Sequence, residues 1–129
     1  MTKISRIVAR QIFDSRGNPT IEAEVFSGKI SASAICPSGA STGTYEAFEK
    51  RDKSNKKYLG KSVFKAIDLI NKKISKKLQG QNIHNQERID SIMINLDGTK
   101  QKIKLGANAI LAVSMASKKL SAKLKKKPL

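Results

Sequence analysis

Several residue types that often mark a function are scarce or absent. The 129-residue sequence contains no tryptophan, one histidine and one cysteine, and only 5% of its residues are aromatic. A single cysteine excludes an intramolecular disulfide and a Cys–His zinc cluster, and it fits a reducing compartment such as the cytoplasm. The few aromatic residues do not form a stacking platform for single-stranded nucleic acid. A disulfide scaffold and a zinc-finger module are therefore excluded.

Long hydrophobic runs are also missing. The longest nearly apolar segment, Leu105 to Ala116, is shorter than the roughly 20 residues that a membrane helix needs. The first ten residues, MTKISRIVAR, contain no apolar signal-peptide segment. The length corresponds to about one domain. We therefore expect one cytoplasmic domain without a membrane span.

Acidic residues are few, and the excess of positive charge is unevenly distributed. The net charge is +16, of which residues 1–52 contribute +1 and residues 53–129 contribute +15. Lysine supplies 21 of the 26 cations, whereas arginine is the better bidentate ligand of phosphates and bases. The lysines are spread along helix-like segments. They predict solvated helix faces, and we do not expect nucleic acid as a partner.

The hydrophobic period divides the chain into two halves. Over roughly residues 3–36, apolar and polar residues alternate in three segments separated by the turn signals DSRGNP and Ser27-Gly28, which predicts a three-stranded antiparallel meander. On the first strand we expect Ile7, Ala9 and Phe13 to lie on one face, with Arg6 and Arg10 on the other. The period then changes to 3.6, which predicts helices near 62–79, 85–96 and 105–124. Ser62 and Asn85 are the predicted N-caps of the first two, which should end at Gly80 and at Asp97-Gly98. The expected fold class is α+β.

The segment PSGASTG, residues 37–43, is the least ordinary part of the sequence. Its hydroxyl groups and glycines suit close approach to a phosphate or to a phosphate-bound metal. It lacks the Gly-Lys-Ser/Thr ending of a Walker A loop, and a single serine binds a hard cation only when other oxygen ligands assist. Taken alone, the segment is more typical of an ordinary mobile strand-to-helix connection, because small polar residues are common in loops.

The other reactive side chains do not assemble a catalytic site. We expect His84 at the surface beside a helix cap and Cys36 as a small buried thiol. Glu46, Glu49 and Asp52 are spaced so that they could share a helical face, where pairing with neighbouring cations is the simpler interpretation. The sequence pattern contains no combination of nucleophile, base and orienting acid.

Four segments together resemble the N-terminal domain of the enolase (phosphopyruvate hydratase) family. They occur in the family's order and spacing, and the resemblance covers the chain from Ile4 onward. The segments are DSRGNPT from Asp14, PSGASTG from Pro37, LDGT from Leu96 and LGANAIL from Leu105.

The resemblance implies a role for the unusual loop. In enolases the corresponding loop is mobile and closes over the substrate, and its middle serine, which matches Ser41, is a ligand of a magnesium ion (Mg²⁺). The implied cofactor is therefore Mg²⁺, with Ser41 as its ligand in this chain. The implied substrate-loop residues are Ser38, Gly39, Ala40, Ser41, Thr42 and Gly43.

The resemblance also implies what residues 1–129 do not contain. Enolases interconvert 2-phosphoglycerate and phosphoenolpyruvate plus water, and their catalytic lysine and glutamate belong to an α/β barrel that follows this domain. We expect the full-length protein to be an active homodimer and residues 1–129 alone to be inactive. Arg10 and Glu22 match positions of intersubunit ion pairs in the family. The alternative is a stand-alone basic binding module that has the enolase-type fold but no catalysis.

Overall fold

A computed structural model describes residues 2–36, 63–98 and 106–126 of the chain. Three strands come first and helices follow. The strands are β1 (Arg6–Phe13), β2 (Pro19–Ser27) and β3 (Ile30–Ile35). The helices are α1 (Phe64–Leu69), α2 (Ser75–Leu78), α3 (Gln86–Asp97) and α4 (Ala107–Lys125), and a π-helical segment, Ile70–Ile74, joins α1 to α2. The predicted α+β arrangement is confirmed.

The three strands form one antiparallel sheet in the order β1-β2-β3. Its inner face carries Ile21, Ala23 and Val25, all fully buried, and its outer face carries the alternating charged side chains of the same strand. This alternation is the one that the sequence predicts. Ile7 and Ala9 are buried on this face, whereas Phe13, the last residue of β1, is 50% exposed.

The first helical run, α1 to α2, is shorter than predicted and is not α-helical throughout. It spans Phe64–Leu78 where the sequence predicts 62–79. Its N-cap is Val63, whose side chain makes no capping hydrogen bond, and the predicted cap Ser62 lies outside the described residues. Gly80, with φ +89°, follows the end of the run as expected.

The other two helices begin and end close to the predicted positions. The Asn85 side chain caps α3 by accepting a hydrogen bond from the backbone N–H of Arg88, and Gly98 ends α3 in the left-handed conformation with φ +70°. Helix α4 begins two residues later than predicted, with Gly106 as its N-cap, and ends at Lys125. Asn85 was thus correctly identified from the sequence as the N-cap of α3, and Gly98 as the residue that ends it.

The core lies between the inner face of the sheet and the helices. The first helical run packs on β1, α4 packs on β2 and β3, and α3 packs against α4 and α2. Burial of this apolar surface is the main stabilising term, at about 25 cal/mol per Å² of apolar area. The largest fully buried side chains are Ile4, Ile21, Ile70, Ile74, Leu78, Ile83, Ile89, Met93, Leu120, Val25, Val63 and Val113.

Candidate functional site

The segment 37–62, which contains the predicted substrate loop, joins two fixed points at the same end of the sheet. Before it, the N–H of Cys36 donates to the carbonyl of Ile21 at 2.9 Å, and the Thr20 hydroxyl donates to the carbonyl of Cys36 at 2.7 Å. After it, the N–H of Val63 donates to Gln11 Oε1 at 3.0 Å. Gln11 is the partner of Ile21 in the β1–β2 register, so both ends adjoin one position of the sheet.

Both ends of this segment are buried as well as hydrogen-bonded. Cys36 is 4% exposed and Val63 is fully buried, which confirms the expectation of a buried thiol. Thr20 is also buried. Because the two ends are held by packing and by hydrogen bonds, the folded domain fixes where segment 37–62 begins and ends.

The predicted loop residues themselves lie outside the described part of the chain. The same is true of Glu46, Glu49 and Asp52. The predictions about the loop's mobility and about the metal ligand Ser41 therefore stay predictions. What the structure adds is the attachment of the segment, through Thr20 and Gln11. Sequence analysis missed both of these residues because each is remote in sequence from the point it holds.

The predicted interface residues Arg10 and Glu22 lie together on the outer face of the sheet. They are register partners on β1 and β2, and the Arg10 guanidinium contacts Glu22 Oε1 at 2.6 Å and Glu24 Oε1 at 2.8 Å. Ser31 on β3 donates its hydroxyl hydrogen bond to Glu24 Oε2 at 2.7 Å. The cluster thus spans all three strands. Sequence analysis did not include Glu24, although it lies two residues from Glu22 and therefore on the same face.

This arrangement lowers the pKa of Glu24. The hydrogen bond from Arg10 is the largest cause, and the one from Ser31 comes next. A lowered pKa stabilises the fold at pH values above the unfolded pKa, and this contribution is lost as pH falls through the folded value. Arg10 is 43% exposed, so solvent screening keeps the contribution well under about 1 kcal/mol.

A substitution of Arg10 should therefore be visible in the titration of Glu24. We expect Arg10→Gln to raise the pKa of the Glu24 carboxyl toward its ordinary value of 4.5, because the strongest hydrogen bond to the carboxylate is removed. The measurement is an NMR titration of the side-chain carboxyl carbon. Arg16→Gln, which makes the same change of charge in the β1–β2 turn, is the control. Equal changes of the Glu24 pKa in the two variants would contradict the assignment of the lowered pKa to the hydrogen bond from Arg10.

Polar side chains between α3 and α4 have a structural role. His84 is half-buried, less exposed than the sequence suggests, and its Nδ1 lies 2.7 Å from the Ser121 hydroxyl. The Ser114 hydroxyl donates to Asp90 Oδ1 at 2.7 Å, and Gln86 Nε2 donates to the same carboxylate at 3.0 Å. These bonds tie α3 and the turn before it to α4.

The described residues do not by themselves provide a metal centre. Within residues 2–36, 63–98 and 106–126, no group of three His, Cys, Asp or Glu side chains is close enough to hold a metal ion. A serine hydroxyl and backbone carbonyls are oxygen ligands of the kind that Mg²⁺ accepts. Ser41 therefore offers suitable ligand atoms, but a single residue supplies too few of them for a complete site. Other oxygen ligands must complete such a site.

Two further observations concern the described part of the molecule. None of its helices combines the length and the apolar character that crossing a membrane requires. An open groove with a volume of about 490 Å³ lies beside α2 and α3, and no carboxylate or histidine lines it. The lining residues are Lys77, Gln81, Arg88, Ile92, Asn95 and Leu96.

Comparisons with known proteins agree with the motifs and with the fold. Residues 4–129 match the family described as "Enolase, N-terminal domain". The chain is 77% identical, over 129 residues, to the protein named "Enolase" from Pelagibacter ubique (strain HTCC1062). This alignment covers 100% of the chain and 31% of that relative, so the chain spans about a third of the relative's length. The chain therefore belongs to the enolase N-terminal domain family.

Proposed function

We propose that the protein to which this chain belongs is an active enolase. It interconverts 2-phosphoglycerate and phosphoenolpyruvate plus water in the cytoplasm, and residues 1–129 are its N-terminal domain. The observation that carries the proposal is the family match over residues 4–129 together with 77% identity to a protein named "Enolase". A binding module without catalysis has no comparable support.

In this proposal the domain contributes a closing loop and one metal ligand. The loop is Ser38 to Gly43, and the hydrogen-bonded attachment of Cys36 just before it supports the role, because a lid needs a fixed point from which it closes. Ser41 would hold Mg²⁺ through its hydroxyl and its backbone carbonyl. The ion, when bound, supplies positive charge that stabilises the negative charge developing on the substrate. Closure of the loop excludes water from the reacting carbon.

The proton transfers are assigned to residues outside positions 1–129. In the dehydration direction, a base removes the proton at C2 and an acid protonates the hydroxyl that leaves from C3 as water, which balances the reaction. The described residues contain no such pair around the ends of segment 37–62. We assign the base and the acid to a following α/β barrel, in agreement with the general chemistry of the enolase superfamily.

The quaternary part of the proposal is a homodimer in which Arg10 and Glu22 contribute to the interface. Their cluster with Glu24 is only partly exposed and is held by two ion pairs, which supports a preorganised charged surface. A partner's charged group would meet side chains that are already ordered, which lowers the entropic cost of association.

The direct test compares the 129-residue chain with the full-length protein. With 2-phosphoglycerate and Mg²⁺, we expect the full-length protein to form phosphoenolpyruvate and the 129-residue chain to form none above background, because the residues that move the C2 proton are missing. Both proteins are purified from a host whose own enolase carries a removable affinity tag, so that contamination is eliminated. Reproducible turnover by the short chain would overturn the assignment of the acid and base, and an inactive full-length protein would overturn the proposed activity.

A further inference from the structure

The Thr20 hydroxyl bonds the backbone at the point where the chain leaves the sheet for the proposed magnesium loop. It donates to the carbonyl of Cys36 at 2.7 Å, and both residues are only 4% exposed. Cys36 directly follows β3, and its own N–H donates to the carbonyl of Ile21 at 2.9 Å. Cys36 is therefore held on both sides of its α-carbon, by the backbone of β2 through its N–H and by a side chain of β2 through its carbonyl.

The carbonyl that Thr20 bonds belongs to a peptide unit with a single hydrogen-bonding group. The next residue in the sequence is Pro37, whose nitrogen carries no hydrogen, so this unit can form backbone hydrogen bonds only through the Cys36 carbonyl. Because a peptide unit is planar, a bond to its oxygen restrains the whole plane. The proline ring also restricts rotation about the bond that follows. The Thr20 bond therefore restrains the direction in which the chain leaves the sheet.

Thr20 itself lies on a rigid element. It belongs to β2, the central strand, and is the register partner of Ile12 on β1. Its branched side chain has few rotamers, so the hydroxyl is confined once the backbone is fixed. A side chain that is locked by packing on a strand is well suited to support a site from outside it.

Ser41, the proposed magnesium ligand, is close in sequence to this point. It follows Cys36 by five residues, so the two α-carbons cannot be more than about 18 Å apart. Val63, at the other attached end, follows Ser41 by 22 residues, a span that allows up to about 80 Å. A change in the direction of the chain at Cys36 therefore reaches Ser41 with little slack, whereas a change at Val63 can be absorbed by the longer segment.

We propose that Thr20 is a positioning residue for the magnesium-binding loop. Its hydroxyl holds the Cys36 carbonyl and so sets the point and the direction from which the chain carries Ser41 to the ion. Thr20 touches neither substrate nor metal. It acts by reducing the number of conformations in which Ser41 is away from its binding position, which lowers the entropic cost of binding. This inference rests on the proposed function, in which Ser41 is a ligand of Mg²⁺.

The main test compares Thr20→Val with Thr20→Ser in the full-length protein. Valine keeps the branched shape and deletes the hydroxyl, whereas serine keeps the hydroxyl and deletes the methyl group. The measurement is calorimetric titration of Mg²⁺ in the presence of an unreactive substrate analogue, beside melting temperatures. We expect about tenfold weaker binding for Thr20→Val, the lower end of the range for residues that orient a metal ligand, and a change within about twofold for Thr20→Ser.

Either variant can contradict the proposal. Equal magnesium affinities of Thr20→Val and the parent would overturn it, because the hydroxyl would then have no effect on the loop. Thr20→Ser decides on its own as well, since it retains the hydroxyl. A loss of about tenfold in this variant would assign the effect to packing of the methyl group and overturn the positioning role.

The magnesium dependence of turnover separates positioning from a general loss of structure. For Thr20→Val we expect the Mg²⁺ concentration at half-maximal turnover to rise about tenfold, with most of the maximal turnover recovered at saturating Mg²⁺, because Ser41 itself is still present. A partly unfolded protein would instead lose the same fraction of turnover at every magnesium concentration. That result would overturn the positioning role.

A double substitution tests whether Thr20 acts through Ser41. If it does, Thr20→Val should weaken magnesium binding much less in a protein that already carries Ser41→Ala, because the hydroxyl that Thr20 helps to place is missing. The combined loss should then be smaller than the product of the two separate losses. Losses that multiply would show two independent effects and would overturn the proposal.

Gln11→Met is the matched control at the other end of segment 37–62. It removes the oxygen that accepts the N–H of Val63 at 3.0 Å and keeps a side chain of similar length. Because Val63 is far from Ser41 in sequence, we expect magnesium affinity to fall less than about threefold, below the range for residues that orient a ligand. Equal losses for Gln11→Met and Thr20→Val would overturn the specific role of Thr20.

Failure of this inference and failure of the proposed function give different results. An active parent protein whose magnesium affinity is unchanged by Thr20→Val overturns the role of Thr20 and leaves the enolase activity in place. An inactive parent overturns the proposed function, and the role of Thr20 with it.

Discussion

Ser41→Ala in the full-length protein is expected to weaken Mg²⁺ binding and to lower turnover together. The substitution deletes the hydroxyl ligand but keeps the backbone carbonyl, so magnesium affinity should fall without being abolished. Loss of a residue that merely orients a metal ligand typically lowers metal affinity or activity about 10- to 100-fold. For a direct ligand we therefore expect magnesium affinity to fall at least about tenfold. Turnover should fall as well, because charge stabilisation is needed most in the transition state.

The neighbouring residue provides the matched control. Thr42→Ala also deletes one hydroxyl from the loop, yet it should change the magnesium dependence much less if only Ser41 is a ligand. The measurements are turnover as a function of Mg²⁺ and calorimetric titration of Mg²⁺ in the presence of an unreactive substrate analogue. Melting temperatures of both variants should match that of the parent. If Ser41→Ala equals the parent protein in affinity and rate, the metal role of this loop is wrong.

The fold was predictable where local sequence signals agreed with the tertiary structure. Period-two alternation over residues 3–36 specified the meander, since one face of each strand had to be buried. Asn85 and Gly98 marked the ends of α3 because a side-chain cap and a left-handed C-terminal residue are local requirements. These features depend on neighbours in sequence, which is why they could be identified without coordinates.

The errors arose where a distant part of the chain decides the outcome. Phe13 alternates correctly with the buried residues of β1, yet its side chain is half exposed at the last position of the strand. The apolar spacing of the first helical run fits an α-helix throughout and gives no sign of the π-helical segment. That segment carries Asn71, which bonds a strand 62 residues earlier in the chain. Such a contact is not encoded by local periodicity.

The family of the chain was predictable from its motifs, but the attachment of segment 37–62 to the sheet was not. The loop segment PSGASTG and its three companion motifs point to the enolase family, and the family match agrees with them. The hydroxyl of Thr20 and the amide of Gln11, which hold the two ends of segment 37–62, carry no motif of their own. Their importance follows only from the register that places Gln11 opposite Ile21.

Shortening a side chain to alanine should destabilise the domain far more in its interior than on its surface. Two isoleucines allow a matched comparison. Ile74 is fully buried in the π-helical segment that packs on β1, whereas Ile94 on α3 is 44% exposed. For Ile74→Ala we expect a loss of about 2–5 kcal/mol in the free energy of unfolding, which combines lost burial with the cavity that remains. For Ile94→Ala we expect a loss of at most about 1 kcal/mol in the free energy of unfolding, because about half of this side chain stays exposed to water in the folded domain.

Urea unfolding of the two variants and the parent, followed by far-ultraviolet circular dichroism, measures both losses. An unchanged dependence of the free energy on urea concentration would show that the two-state comparison holds. Both substitutions delete the same atoms, so the difference between the two losses reports mainly the difference in burial. Ile74 also lies in the helical run that begins next to Val63, one end of segment 37–62. If the losses are equal, or if Ile74→Ala costs less than about 1 kcal/mol, the packing of the first helical run on β1 is not what stabilises this part of the domain.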